Sequence, residues 1–148
     1  MMAERTRPFE ILLVEDEPAD AHLVRSALRE CQGNCNLQHV TDGMEALASL
    51  RRQGRYSNAL HPDLILLDLN MPRMSGSEFL RAAKADESLS GIPVVVLTTS
   101  SVERDIESAY RLGAAGFITK PADLNEFIAT MRQVMSYWMT LTRLPMRD

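Results

Sequence analysis

Polar and charged residues close four of the apolar runs in this chain. Glu15 and Asp16 follow the run at 9–14, and Asp68, Leu69 and Asn70 follow the run at 63–67. Thr98 and Thr99 follow 93–97, and Lys120 and Pro121 follow 116–119. If these runs are parallel strands, their carboxyl ends line the edge where such sheets bind ligands. Three carboxylates, a hydroxyl and an ammonium then meet at one edge. Two like charges 4 Å apart repel by about 4 kcal/mol at an effective dielectric near 20. Such a cluster either raises its own pKa values or takes up a cation. Oxygen ligands without His or Cys suit a hard ion, and Mg²⁺ accepts one or two carboxylates while keeping several waters. Magnesium beside a carboxylate, a hydroxyl and a lysine suits phosphoryl chemistry, with one carboxylate as nucleophile.

The lysine stands out by composition. The chain holds fourteen arginines and only two lysines, Lys84 and Lys120. A compact point charge suits a single oxygen better than a planar fork does. Asp68 is also hard to dismiss as a surface acid. A carboxylate that closes a buried strand is costly unless it is paired or metal-bound. Glu15 and Asp16 alone would read as a helix cap plus a solvated acid, Thr98 as an ordinary strand threonine, and Phe117 as an ordinary core aromatic.

The elements that must position these residues follow from the pattern. The runs at 9–14, 63–67 and 93–97 are nearly all apolar rather than alternating, as in strands covered on both faces. Runs at 36–40 and 116–119 complete a set of five. Amphipathic stretches separate them. Pro18 opens the first helix, with Asp16 or Glu17 as its cap. Asp42-Gly43 starts the second, Ser75-Gly76 the third and Ser101 the fourth, which Gly113 ends. Asp123 caps a fifth that runs to about Leu141. Strand–helix alternation repeated five times predicts a doubly wound parallel α/β sheet with right-handed crossovers. The link 53–62 is read as an irregular surface loop.

Composition narrows the function classes. With 148 residues, 45% apolar and 24% charged, the chain suits one soluble domain and is not disordered. A net charge of −4 argues against nucleic-acid wrapping. No apolar stretch of about 18 residues is present, so no membrane span is expected. Cys31 and Cys35 are read as free thiols in a loop, consistent with a cytoplasmic protein. His22, His39 and His61 share no ligand spacing, and Arg51, Arg52 and Arg55 read as a solvated helix face. Residues 1–8 are expected to form a flexible lead, 9–135 the domain, and 136–148 an extension.

Four segments taken in order resemble the receiver domain of bacterial two-component response regulators: 13–16, 63–72 with Gly76, 96–98 and 113–121. The resemblance spans about residues 10–135 and implies a flavodoxin-like sheet of order 2-1-3-4-5. It implies that Asp68 is the phosphoacceptor for a sensor histidine kinase. It further implies that Asp16, Asp68 and the Asn70 carbonyl bind Mg²⁺, with Glu15 reaching the ion through water. Thr98 and Lys120 would hold phosphoryl oxygens, and Phe117 would be the aromatic that moves when Thr98 is drawn to the phosphate. The Lys120–Pro121 bond would be cis. Glu15 is longer than the aspartate often found there, which should shift the metal-bound water. Thr99 replaces a usually smaller residue, which implies a more crowded entry. The loop at 54–59 and the ending Tyr137-Trp138…Leu144-Pro145 resemble the small stand-alone regulators encoded with phytochrome kinases.

A fifth helix ending near Leu141 would be about 28 Å long, against about 17–20 Å for a central strand. Its last turns, with Met135, Trp138, Met139 and Leu141, should overhang as an apolar stripe and form a homodimer together with the fourth helix and fifth strand; the alternative is that Trp138 folds back on its own domain. The reading is a phosphorylation-switched module that binds a kinase and an unknown downstream protein, and not an enzyme. Three alternatives remain. A haloacid-dehalogenase-like phosphatase would need a carboxylate where Asn70 stands. A flavodoxin-like cofactor binder would need a phosphate loop after the first strand. The third is a dimer scaffold that takes no phosphate.

Overall fold

A computed structural model describes residues 7–31 and 34–145, the side chains of 30 and 31 excepted. The elements alternate: β1 (Phe9–Val14), α1 (Pro18–Ala27), β2 (Cys35–Val40), α2 (Gly43–Leu50), β3 (Leu64–Leu67), α3 (Gly76–Ala85), β4 (Val94–Thr98), α4 (Glu103–Arg111), β5 (Gly116–Thr119) and α5 (Leu124–Ser136). The strands form one sheet in the order β2-β1-β3-β4-β5, and every pairing is parallel. This is the doubly wound arrangement that the strand–helix alternation predicts.

Alternate residues of each central strand serve opposite faces. Leu12, Val14, Ile65, Leu67, Val94 and Val96 pack with Ala46, Leu47, Phe79, Leu80 and Ala109 under α2, α3 and α4. Phe9, Ile11, Leu13, Leu64, Leu66, Val95 and Leu97 pack with Val24, Phe127 and Met131 under α1 and α5. Each of the larger of these side chains contributes about 1.5–3 kcal/mol when fully buried. Both faces are covered, so β1, β3 and β4 read as continuous apolar runs. Only the edge strands β2 and β5 are half-exposed.

Helix starts follow the local chemistry. Glu17 caps α1 by accepting from Ala19 N–H, so Asp16 is not consumed as a cap. Asp42 caps α2 and Asp123 caps α5. Ser75 and Glu78 form a reciprocal capping box on α3. Ser101 does not cap α4: Val102 holds that place, and Ser100 Oγ accepts from Val102 N–H while donating to Asp105. Gly113, with φ +107°, takes the left-handed turn just past α4.

Several expectations are corrected. No peptide bond among the described residues is cis, so Lys120–Pro121 is trans, the form an X–Pro bond favours by about 0.5–1 kcal/mol. Arg51, Arg52 and Arg55 lie past the end of α2 rather than on a helix face. Arg52 has φ +55°, Arg51 pairs with Asp86 and Arg55 with Glu45. The loop at 53–62 contains a short 3₁₀ turn, Gly54–Tyr56. Cys35 is disulfide-bonded, so the free-thiol reading fails for it; the Cys31 side chain lies outside the described residues. Most of the lead at 1–8 also lies outside them, but Arg7 is anchored, its guanidinium donating twice to Asp63.

The chain's last turns differ most from expectation. The α-helix stops at Ser136 and continues as a π-helical turn, Tyr137–Leu141, closed by Thr142 N–H on the Tyr137 carbonyl. Met135 is only 4% exposed and belongs to the core of its own domain. Trp138 and Met139 also pack back on that core. The wider π turn (i→i+5) rotates the stripe, so Tyr137 and Leu141 are its exposed members.

Candidate functional site

The parallel register puts the chemistry at one edge. Val14 pairs with Leu67, Leu67 with Val96, and Thr98 with Thr119. Glu15, Asp68, Thr98 and Lys120 therefore emerge side by side at the carboxyl ends of β1, β3, β4 and β5. The ladder continues into the site: Asp68 N–H donates to the Val14 carbonyl, and Lys120 N–H to the Thr98 carbonyl. Gly76 opens α3 directly against this turn. A Cβ there would stand 2.4 Å from the Asp68 carbonyl oxygen and 2.6 Å from Leu69 Cα, so only glycine lets the helix approach so closely.

Glu15, Asp16 and Asp68 bring carboxylate oxygens within 4.8 Å of one another. Glu15 and Asp68 are buried, whereas Asp16 is exposed. Lys120, its side chain only 5% exposed, donates to Glu15 at 2.6 Å and to Asp20 at 2.7 Å, and lies 3.8 Å from Asp68. Three carboxylates thus share one ammonium. Burial, with help from the nearby Asp68 charge, pushes the Glu15 carboxyl up to about 7 despite its bond to Lys120. Burial alone would lower Lys120, but its bonds to Asp20 and Glu15 outweigh this and raise it. Asp68 itself accepts only a long 3.3 Å bond, from Asn70 N–H, among the described hydrogen bonds. Thr98 is fully buried, and its hydroxyl has no partner among the described residues.

An excess of hard, anionic oxygen donors around an unpaired hydroxyl fits a divalent cation and an anionic group. Glu15, Asp16 and Asp68 are the residues that could hold such an ion. Asn70 and Thr99 are exposed at the rim. Phe117 is half-buried on β5 and packs on the α2–α4 side of the sheet.

Two participants were not foreseen from sequence. Asp20 reads there as an ordinary first-turn helix acid, and its partner Lys120 is 100 residues away. His39, on β2, holds the Glu15 carbonyl oxygen at 2.7 Å; since a carbonyl only accepts, Nε2 carries the proton. In neither case does local spacing signal the contact.

Comparison with known proteins gives the family. Residues 11–132 match the family model of the response regulator receiver domain. The chain belongs to that family. Over 145 residues it is 40% identical to response regulator Rcp1 of Synechocystis, covering 98% of this chain and 99% of that one. It is similar to the phosphorylated cyanobacterial phytochrome response regulator RcpA, with 43% identity, a TM-score of 0.91, and coverage of 94% and 99%. The Mn²⁺-bound form of Rcp1 gives 40% identity and a TM-score of 0.89, covering 94% of this chain and all of that one. A receiver domain favours neither the phosphatase nor the flavodoxin-like alternative. Among the described residues no helix is long and apolar enough to cross a membrane.

Proposed function

We propose that the protein is the phosphoacceptor of a two-component system, taking a phosphoryl group from a sensor histidine kinase onto Asp68. The observation that carries this reading is the under-compensated edge: a buried Asp68 with one long hydrogen bond, beside a buried Lys120 and an unpartnered Thr98 hydroxyl. An Asp68 oxygen forms the new bond to phosphorus as the phosphorus–nitrogen bond of the donor's phosphohistidine breaks. The electron pair leaves with the imidazole, which takes up a proton from solvent. Lys120 and Thr98 receive the phosphoryl oxygens, and the Asn70 carbonyl would join Asp16 and Asp68 in holding a metal ion. Magnesium, when bound, neutralises the charge that carboxylate and phosphoryl oxygens share.

The switch follows from the same contacts. When Thr98 turns to a phosphoryl oxygen, Phe117 gains room to move inward, and the exposed α4–β5–α5 surface changes. Moving a two-state ratio from 1:99 to 99:1 takes about 5.5 kcal/mol of differential interaction. Charge-assisted bonds to Lys120 and Thr98 are the source. Similarity to phytochrome response regulators supports a phytochrome as the kinase, and with it a cytoplasmic signalling role rather than an enzymatic one. The dimer reading carries over in altered form. A groove of about 370 Å³ is lined by Val95, Gly116, Ile118, Val134, Tyr137 and Trp138, and Leu141, three residues further along the chain, is exposed; a second copy would cover both.

Acetyl phosphate with Mg²⁺ should label the wild-type protein with acid-labile phosphate, and Asp68→Asn should remove the label. Equal labelling of Asp68→Asn would refute the assignment. Sedimentation of the full chain and of Leu141→Asp addresses the dimer: a monomer in both cases, with and without phosphate, ends that part of the reading.

A further inference from the structure

Asp20 is the carboxylate of the site to which the proposed phosphotransfer gives no task. It is the third residue of α1 and stands outside the trio able to share a cation, yet its Oδ2 lies 2.7 Å from Lys120 Nζ. An ammonium has three N–H donors. Two are committed here, to Glu15 and Asp20, while the Asp68 oxygen at 3.8 Å is beyond hydrogen-bond range. The two partners differ in kind. Glu15 belongs to the trio, so a cation held there competes with Lys120 for it. Asp20 does not, and its side chain, 26% exposed, reaches in from the helix.

The geometry points to Asp20 as a positioning residue that parks the Lys120 ammonium beside Asp68 but off it, keeping the nucleophile's lone pairs free and the ammonium in reach of an arriving phosphoryl oxygen. Lys120 has little access to water. Without Asp20 it turns to the nearest carboxylate not already bonded to it, which is Asp68. An ammonium bonded to Asp68 engages the electrons that must attack phosphorus and repels the cation that the trio would hold. Asp20 is thus set apart from the many exposed first-turn acids whose role ends with the helix dipole. This inference rests on Asp68 being the phosphoacceptor.

The two-lysine composition makes the test direct. Protein labelled with ¹³Cε and ¹⁵Nζ lysine gives two side-chain signals, assigned by Lys84→Arg. Lys84 donates to the Ser90 and Ile92 carbonyls, away from the site, and serves as the internal control. Asp20→Asn should move the Lys120 signal and leave that of Lys84 in place. The same variant should slow labelling by acetyl phosphate and Mg²⁺ about tenfold, the loss of roughly one charge-assisted hydrogen bond. Asp20→Glu should restore both readouts, and Asp20→Ser supplies a second neutral variant should the first fold poorly. An unmoved Lys120 signal, an unchanged labelling rate, or failure of Asp20→Glu to restore either overturns the inference. In each of these cases the phosphoacceptor reading stands, provided wild type is labelled and Asp68→Asn is not. If wild type takes no label, that reading fails, and the role of Asp20 in phosphotransfer fails with it.

Discussion

The two ends of the sheet both bury carboxylates and treat them in opposite ways. At the amino end, just before β3, Asp63 accepts from both terminal nitrogens of Arg7 at 3.1 Å and from Glu10 N–H at 2.8 Å. Its own N–H donates to the Glu10 carbonyl, and the Glu10 carboxylate accepts from Asn36. At the carboxyl end, five residues along the same strand, Asp68 has one long bond and an ammonium at 3.8 Å. The amino end is satisfied by the chain itself, and burial there costs little. The carboxyl end holds mutually repelling charge that an external cation or phosphoryl group would relieve.

Exchanging the two aspartates' roles by mutation gives the largest contrast. Asp68→Asn should lower phosphate incorporation by more than about 100-fold, because the proposed nucleophile is gone. Asp63→Asn should leave incorporation by the folded protein within about twofold, since no atom of Asp63 reaches the reacting end. Acid-labile label per folded molecule is the measurement.

Stability should respond in the reverse order. Asp63→Ala leaves the Arg7 guanidinium and Glu10 N–H without their acceptor, and should cost about 3 kcal/mol. Asp68→Ala removes a like charge from beside Glu15 and Asp16, and should be neutral or stabilising by about 1 kcal/mol in the absence of metal. Urea midpoints at constant m-value decide this. Equal losses at the two positions would mean that the ends are not energetically distinct.

Magnesium should then stabilise only through the carboxyl end. At ten times its dissociation constant the gain is about 1.4 kcal/mol. It should persist in Arg7→Ala and vanish in Asp68→Ala. A shift of the thermal midpoint in both variants would place the ion elsewhere.

The same contrast explains what was legible in the sequence. Apolar runs, caps and Gly113 announce the strands and helices because their causes are local. Glu15, Asp68, Thr98 and Lys120 are legible because strand ends are, and a parallel sheet brings strand ends together. Asp20, His39 and Arg7 are not, since each acts on a partner 24 to 100 residues away and each reads locally as an ordinary helix, strand or terminal residue. Met135 is misread for another reason. The 3.6-residue period carried past Ser136 assumes an α-helix, and the π turn changes the face.

The smallest effect expected is a pH slope confined to the carboxyl end. Burial raises the Glu15 carboxyl from 4.5 to about 7 in the folded chain. Between those values the folded state binds the proton and the unfolded state does not, so metal-free stability should fall as pH rises from about 4.5 to 7, and level off above. Because a cation binds the charged carboxylate, magnesium affinity should climb over the same range, and saturating magnesium should flatten the stability profile. Glu15→Gln should remove the slope without metal, whereas Arg7→Ala should lower the whole curve and keep its shape. A slope that survives Glu15→Gln would move the titrating group away from the site and weaken the division between the two ends.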